Sequence, residues 1–389
     1  MKSDKTTPNV PTLRFAEFSD LWEQKQFDEV LLILANNTLS RAELNYDNGD
    51  YKDIHYGDVL IKYPAYIDVS SSDVPYINTE NSSTKLNNAL LQNGDVVIAD
   101  TAEDFTVGKA TEIENVSAIK VVAGLHTIPC RPKMRFSPKY LGYYINSPAY
   151  HDQLVPFIQG VKVSSISKTH IRKTYLSFSS LLEQEKIANF LSCLDEKIKV
   201  QNKIIEDLKV LKKELCCKLL SNITEYKLLG ELCSITTGRL DANANKPNGL
   251  YPFFTCGKET LLIDTYAFDG EAIMIAGNGD IGHTKYYCGK FNAYQRTYVL
   301  MNFRSNAHFI KMGIDTYLPR KIIEETQGGA MPYIKMSTLE SLKIPYVSEK
   351  AQLAIKNNYD VIVKKLDQEV KMLGLLLKQK SFLLNTMFI

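Results

Sequence analysis

One pattern constrains this chain more than any other, and it occurs twice. From Ile187 the apolar residues advance by alternating fours and threes through Leu191, Leu194, Ile198, Ile205, Leu208, Leu215 and Leu219, with Gln201 and Lys212 filling the remaining places. That is the a/d seam of a heptad helix, which buries a narrow apolar stripe against a partner helix. Adding 168 to each number recovers a second seam: Ile355, Tyr359, Ile362, Leu366, Leu373, Leu376, Leu383 and Met387, with Glu369 and Lys380 at the two polar places. A single heptad helix could be an ordinary core helix. Two with polar breaks in the same layers predict a tandem repeat whose helices pair with each other.

An antiparallel register that sets Gln201 against Lys380 and Lys212 against Glu369 gives every polar seam residue a compatible partner, the device by which coiled coils select alignment. The same register faces Leu194 with Met387, Ile198 with Leu383, Ile205 with Leu376 and Leu208 with Leu373. At about 1.5 Å per residue the seam from Ile187 to Leu219 predicts a spacer of roughly 50 Å.

Between the helices the text is mixed. Strands are expected at His55 to Ile61, Gly94 to Ala99, Val116 to Val122 and Lys173 to Phe178, and a helix over Pro138 to Ile158. The second half repeats the plan in shorter form. Lys227 to Leu232 corresponds to Lys25 to Val30, Gly270 to Ala276 to Gly94 to Ala99, and Gly282 to Gly108. The Gly-rich loop from Gln327 to Ile334 corresponds to that from Gln159 to Ile166, and a strand at Leu342 to Val347 precedes the second helix. Away from these anchors the halves share little. The frame is repeated while the surface it carries differs, as for two different readers on one scaffold.

Catalytic motifs are missing. Gly277-Asn278-Gly279-Asp280-Ile281-Gly282 matches G-x-G-x-x-G, but a dinucleotide site needs a helix next, and His283 to Cys288 reads as strand, so a turn is the better reading. No G-x-x-x-x-G-K-[ST] loop, no H-E-x-x-H and no Asn/Asp-Pro-Pro-aromatic segment occurs. Seven cysteines without a C-x-x-C pair suit reduced thiols and a cytoplasmic protein rather than disulfides or zinc. Met1 to Pro11 is polar with two prolines, unlike a secretory signal, and the longest aliphatic run, Val30 to Ala35, is too short for a membrane span.

Nucleic-acid signals are present in loop-like text where cations alternate with aromatics and amides: Arg131 to Phe136, Lys168 to Lys173, and Asn292 to Arg296. Lysine and arginine supply phosphate affinity, while Arg, Gln and Asn can read base edges in the major groove. The net charge of +2 is neutral on the point, because acidic helices can mask basic faces. A rigid spacer of this length suits modules placed over major-groove faces one turn apart, about 34 Å. Candidate DNA contacts are Lys109, Lys162 and Lys168 in the first module and Asn278, His283, Gln295, Arg296 and Lys335 in the second.

These features together resemble the specificity subunits of type I restriction–modification systems. The resemblance rests on Val10-Pro11-Thr12-Leu13-Arg14-Phe15 with Trp22, the Gly94-Asp95-Val96 strand entry, the Gln-Gly loops at 159 and 327, and Leu182-Glu183-Gln184-Glu185-Lys186-Ile187-Ala188 leading into Leu194-Asp195-Glu196-Lys197-Ile198. The second helix keeps Gln352, Ala354 and Ile355 of that opening. The resemblance implies an α+β fold: two β-rich globular target-recognition domains joined by two long α-helices in an antiparallel coiled coil. The expected divisions are an N-terminal arm (1–24), a first recognition domain (25–180), a central helix (181–222), a second recognition domain (223–346) and a C-terminal helix (347–389).

It also implies a chain without catalysis of its own, each domain reading half of an interrupted double-stranded DNA site. The coiled coil would dock two methyltransferase subunits that use S-adenosylmethionine to methylate adenine N6 on a flipped base, and a motor-nuclease subunit would supply ATP and Mg chemistry. The competing reading is a non-enzymatic scaffold whose two β-rich modules bind proteins. Salt separates the two, since DNA binding weakens steeply with ionic strength.

Overall fold

The protein is represented by a computed structural model that describes residues 9–389 except 71–72, 79–85, 87–89, 105, 117–118, 161–162 and 326–332. The chain forms two compact units, one of residues 1–200 and 373–389, the other of residues 201–372. Both long helices, Leu181–Ser221 and Glu349–Thr386, contribute to both units.

Each unit is built on the same frame. In the first, strand Glu23–Gln26 pairs antiparallel with Tyr175–Phe178 and runs into a one-turn helix, Phe27–Val30, whose Glu29 accepts the Gln26 backbone N–H. In the second, Tyr226–Leu228 pairs with Lys343–Pro345 and runs into Leu229–Leu232, with Glu231 accepting from Leu228 N–H. The second strand of each pair then feeds a long helix held by a buried glutamine. Gln184 donates to Ser179 O (2.7 Å) and accepts from Ser137 N (3.0 Å). Gln352 donates to Val347 O (2.8 Å) and accepts from Asn306 N (3.2 Å) and Ser305 Oγ (2.6 Å). Both are almost fully buried, where an unbonded amide would be costly.

The first unit adds an arm. Leu13 N bonds Thr386 O, and Arg14 holds the buried Glu183 with two bonds of 2.7 and 2.8 Å. Trp22 packs on Tyr140 and on Phe388 at the end of the C-terminal helix. Position 351, the repeat equivalent of Glu183, is alanine, so the second unit has no such clamp.

The sheets differ. The first unit carries a five-stranded sheet of Leu31–Ile33, Thr127–Pro132, Val96–Ala99, Ala110–Glu114 and Tyr66–Asp68 in that order, with a smaller four-stranded sheet and two short pairs. The second carries, besides its frame pair, a six-stranded sheet led by the long hairpin Phe268–Ala276 and Thr284–Ala293. Two expectations fail. His55 to Ile61 is helical from Tyr56, because His55 Nδ1 accepts the Gly57 N–H at its start and Asp58 sits in the first turn; the strand is Tyr51–Ile54. Pro138 to Ile158 breaks into Tyr140–Ile145, Pro148–His151 and a 3-10 turn at Val155–Phe157. Pro148 starts a new helix and forces Ser147 to be extended.

Every seam position of both helices is buried or half-buried. The helices pair antiparallel in each unit: Leu191 and Leu194 share a core with Leu383 and Met387 in the first, and Cys216 and Leu220 pack with Ile355 and Tyr359 in the second. The register is not the expected one. Gln201 bonds Glu369, not Lys380, through Oε2 (2.5 Å) and its carbonyl (3.0 Å). Lys212 lies over the Tyr359 ring at 5.6 Å rather than against Glu369, and Lys380 bonds Asp195 at 2.5 Å. The slip, ten to eleven residues at the two second-unit pairs and six at Asp195–Lys380, or about two to three turns, has a physical reason. Matching polar seam residues is worth at most about 1 kcal/mol per pair, whereas the alignment of each helix is set by its buried attachment to a module. Asp195, which receives Lys380, flanks the seam instead of lying on it.

Among the described residues no helix is long and apolar enough to cross a membrane. Asp195 also accepts the Tyr143 hydroxyl (2.8 Å). Replacing Asp195 with alanine strands a largely buried ammonium and a buried phenol, and is expected to cost about 1–3 kcal/mol in denaturant unfolding.

Candidate nucleic-acid interface

In the second unit three segments converge on a recess of about 360 Å³, lined by Thr237, Gly277, Asn278, Gln295, Arg296, Tyr298, Tyr333 and Ile334. The turn of the long hairpin supplies Gly277 and Asn278. It closes with Gly279 and Gly282 at positive φ (64° and 77°), and Gly282 N bonds Ala276 O. The next residues form a strand, so this G-x-G-x-x-G is a hairpin turn. Gly277 N bonds Arg296 O at 3.0 Å, and a Cβ at 277 would lie 2.5 Å from that oxygen, so only glycine permits the approach.

The second wall is the tight turn Tyr294 to Thr297, tied by Gln295 N to Leu240 O and by Gly238 N to Thr297 O. The third is anchored by Tyr298 Oη to Ile334 O (2.7 Å) and Ile334 N to Gly277 O (2.9 Å). Tyr333 stands 60% exposed beside it, an aromatic face open to a ligand.

Three expected contacts, Asn278, Gln295 and Arg296, therefore meet in one place. His283 is exposed on the hairpin outside the recess lining, its pKa lowered by the partial desolvation of its ring and by Lys285. Lys335 is exposed at the start of helix Met336–Glu340. In the first unit Lys109 is half-buried and donates to Leu60 O (2.8 Å), with burial lowering its pKa; that is a structural tie. Lys168 is exposed and reaches Asn36 Oδ1 (3.1 Å). Lys162 and most of the loop from Gln327 to Ile334 lie outside the described residues.

The pairing of arginines separates scaffold from surface. Of nine, Arg14, Arg41, Arg131, Arg172 and Arg320 form ion pairs, and Arg304 donates to Glu231 O. The side chains of Arg135, Arg239 and Arg296 have no ion pair or hydrogen bond among the described residues. Two of these three, Arg239 and Arg296, are on adjoining backbone at the second-unit recess. Sequence reading missed Arg239, together with Thr237, Tyr298 and Tyr333, because nothing local distinguishes an unpaired arginine from a paired one. Arg135 lines a recess of about 430 Å³ in the first unit, but Glu114 and the Arg131-paired Asp95 line it too, so its charges largely cancel. Glu112 there accepts Lys139 and Gly142 backbone N–H groups, and burial pushes it up to about 8.

The first unit also holds a polar cluster beneath its surface. Arg41 forks onto Asp58 (2.5 and 3.1 Å), and the Tyr56 ring packs tilted against His55 at 4.7 Å and edge-on against His126 at 5.2 Å. Below them Asp53 is fully buried; its Oδ2 accepts from Asn37 (2.6 Å) and its Oδ1 has no partner among the described residues. Burial pushes its pKa up to about 7. No grouping of metal-ligating side chains occurs among the described residues.

Comparison with known proteins places this geometry. The type I restriction modification DNA specificity domain matches twice, over residues 19–210 and 224–378. The chain belongs to that family. It is 37% identical over 139 residues to the type I restriction enzyme EcoDI specificity subunit of Escherichia coli, a match over 36% of this chain and 31% of that protein's length. It is 26% identical over 280 residues to a putative type I specificity subunit of Mycoplasma genitalium, covering 64% of this chain and 70% of that one. The fold matches the crystal structure of a type I restriction–modification S subunit from M. genitalium with a TM-score of 0.58 at 18% identity, over 98% of this chain and 99% of the other. It also matches a chain from a structural study of the assembly and conformational transition of the type I system, with a TM-score of 0.55 at 16% identity, over 93% and 96%.

Asp53 gives a pH prediction. Its folded pKa, near 7, is above its unfolded value of 3.8, so the native state holds a proton that the unfolded state has lost. Stability falls as pH rises between about 4 and 7. Asp53→Asn removes that loss: the melting temperature of the variant relative to wild type should be higher at pH 8 than at pH 4.5.

Proposed function

We infer that this chain is the DNA-reading subunit of a type I restriction–modification complex, with one half of a bipartite double-stranded site read by each module. The long helices set the gap between half-sites and dock two methyltransferase subunits. Those partners bring S-adenosylmethionine and methylate adenine N6, and a motor-nuclease subunit uses ATP with Mg. The chain itself supplies recognition without chemistry, in the cytoplasm.

The observation that carries this reading is the second-unit recess. Asn278, Gln295 and Arg296 converge there with arginines left unneutralised, in a chain that otherwise commits most of its arginines to internal bonds. Arginine reads guanine O6 and N7, and amides read adenine N6 and N7. The repeated frame supports two modules of separate specificity, because the frame recurs while the sheets it carries do not.

Mapping N6-methyladenine across a host genome, with and without this chain beside an active methyltransferase partner, tests the reading. A bipartite motif should vanish on deletion, and exchanging residues 227–346 should alter one half of it only. A methylation pattern indifferent to the chain would sink the proposal. Arg296→Ala is expected to cost about 1–3 kcal/mol and relax one base pair; equal weakening on all sequences would make it a phosphate contact.

A further inference from the structure

Beside the recess, Asp241 is a carboxylate whose placement the fold alone does not explain. It occupies the N-cap of the 3-10 turn Ala242–Ala244, where an aspartate usually accepts from its own helix, yet its side chain makes no capping bond. It forms no ion pair with Arg239, two residues away, or with Arg296 across the adjoining turn, nor with any other cation among the described residues. Its Oδ1 instead accepts from Gln295 Nε2 at 3.0 Å, a bond between residues 54 positions apart. An acid on a surface that meets phosphate weakens binding, so this one calls for a compensating role.

We propose that Asp241 is a positioning residue for base recognition: it holds the Gln295 amide so that the recess of the second module selects adenine. A glutamine amide can present either end, and its oxygen and nitrogen are interchangeable in shape. A carboxylate accepts only from the nitrogen, so Asp241 fixes which end is which. One amide proton is then committed, and among the described residues Gln295 retains an unbonded carbonyl oxygen and a second amide proton. That acceptor–donor pair matches the adenine edge in the major groove, where N6 donates and N7 accepts. Guanine presents two acceptors there, and cytosine offers a donor without the neighbouring acceptor. The turn carries the selection because the Gln295 backbone is itself tied, N–H to Leu240 O at 2.9 Å, and Leu240 bridges Tyr294 in parallel. Arg239 and Arg296 flank the pair as donors for phosphate or for a guanine next to it.

This inference rests on the DNA-reading function above, and the experiment separates the two. The full chain, assembled with its methyltransferase partner, is offered duplexes randomised through the second half-site, and preference is read position by position. Wild type should show adenine at one position that Gln295→Ala relaxes. Asp241→Asn, whose amide can face either end of the glutamine, should relax the same position several-fold and leave preferences at other positions intact, while affinity for non-specific duplex rises because an acid has been removed. The double variant should match Gln295→Ala alone, since Asp241 acts through Gln295. A purely structural role would weaken all sequences alike. The proposal is overturned if Asp241→Asn leaves every preference intact, if its effect adds to that of Gln295→Ala, or if the position governed by Gln295 is not adenine. Absence of any selected sequence with wild type would instead overturn the DNA-reading function itself, and this inference with it.

Discussion

A two-helix seam buries one narrow stripe per helix, too little to hold two helices of about forty residues in alignment without help. Everything else in the structure answers that shortfall. In the first unit the helix pair is drawn into a globular core: Leu191, Leu194, Leu383, Met387 and Phe388 pack with Trp22 and a set of fully buried tyrosines. In the second, Cys216, Leu220 and Ile223 pack with Phe309 and Met312 of the module's own helix. The seam is the continuation of two cores, and its polar residues adjust to an alignment decided elsewhere.

That hierarchy explains what the sequence could and could not convey. The seam itself was legible, because heptad spacing is a direct record of which side chains are excluded from water, and each position so marked is at least half-buried. The duplication was legible too, and so were the strands that precede the helices, at Lys173 to Phe178 and Leu342 to Val347; their mostly exposed partners, Glu23–Gln26 and Tyr226–Leu228, were seen only as part of a repeated segment. The register was not, since Lys380 takes Asp195, a residue off the stripe, and Gln201 takes Glu369. Local capping also escaped notice: the Val-Leu-Ile run at 59–61 has strand composition, but His55 and Asp58 supply a helix start, and Ile61 faces solvent.

The recess shows the same division. Asn278, Gln295 and Arg296 were visible as polar groups in glycine-rich or turn-like text. Their convergence needed the hairpin, and Arg239 and Asp241 needed a knowledge of which charges are already engaged. Lys109 was misleading for the opposite reason, its ammonium being committed to a backbone carbonyl that sequence cannot reveal. Electrostatic availability is a property of the folded chain, and it sorts candidates more sharply than residue type does.

Gln184 and Gln352 spend their amides mainly on main-chain atoms, Ser179 O and Ser137 N in one unit and Val347 O and Asn306 N in the other. A grip on the peptide backbone is indifferent to the side chains around it. Side chains of a module that stand clear of this grip and of the shared core can therefore change while the attachment to the helix persists. The surface of a module and the way it is mounted are thus settled by different atoms, and a lineage can change the first while it keeps the second.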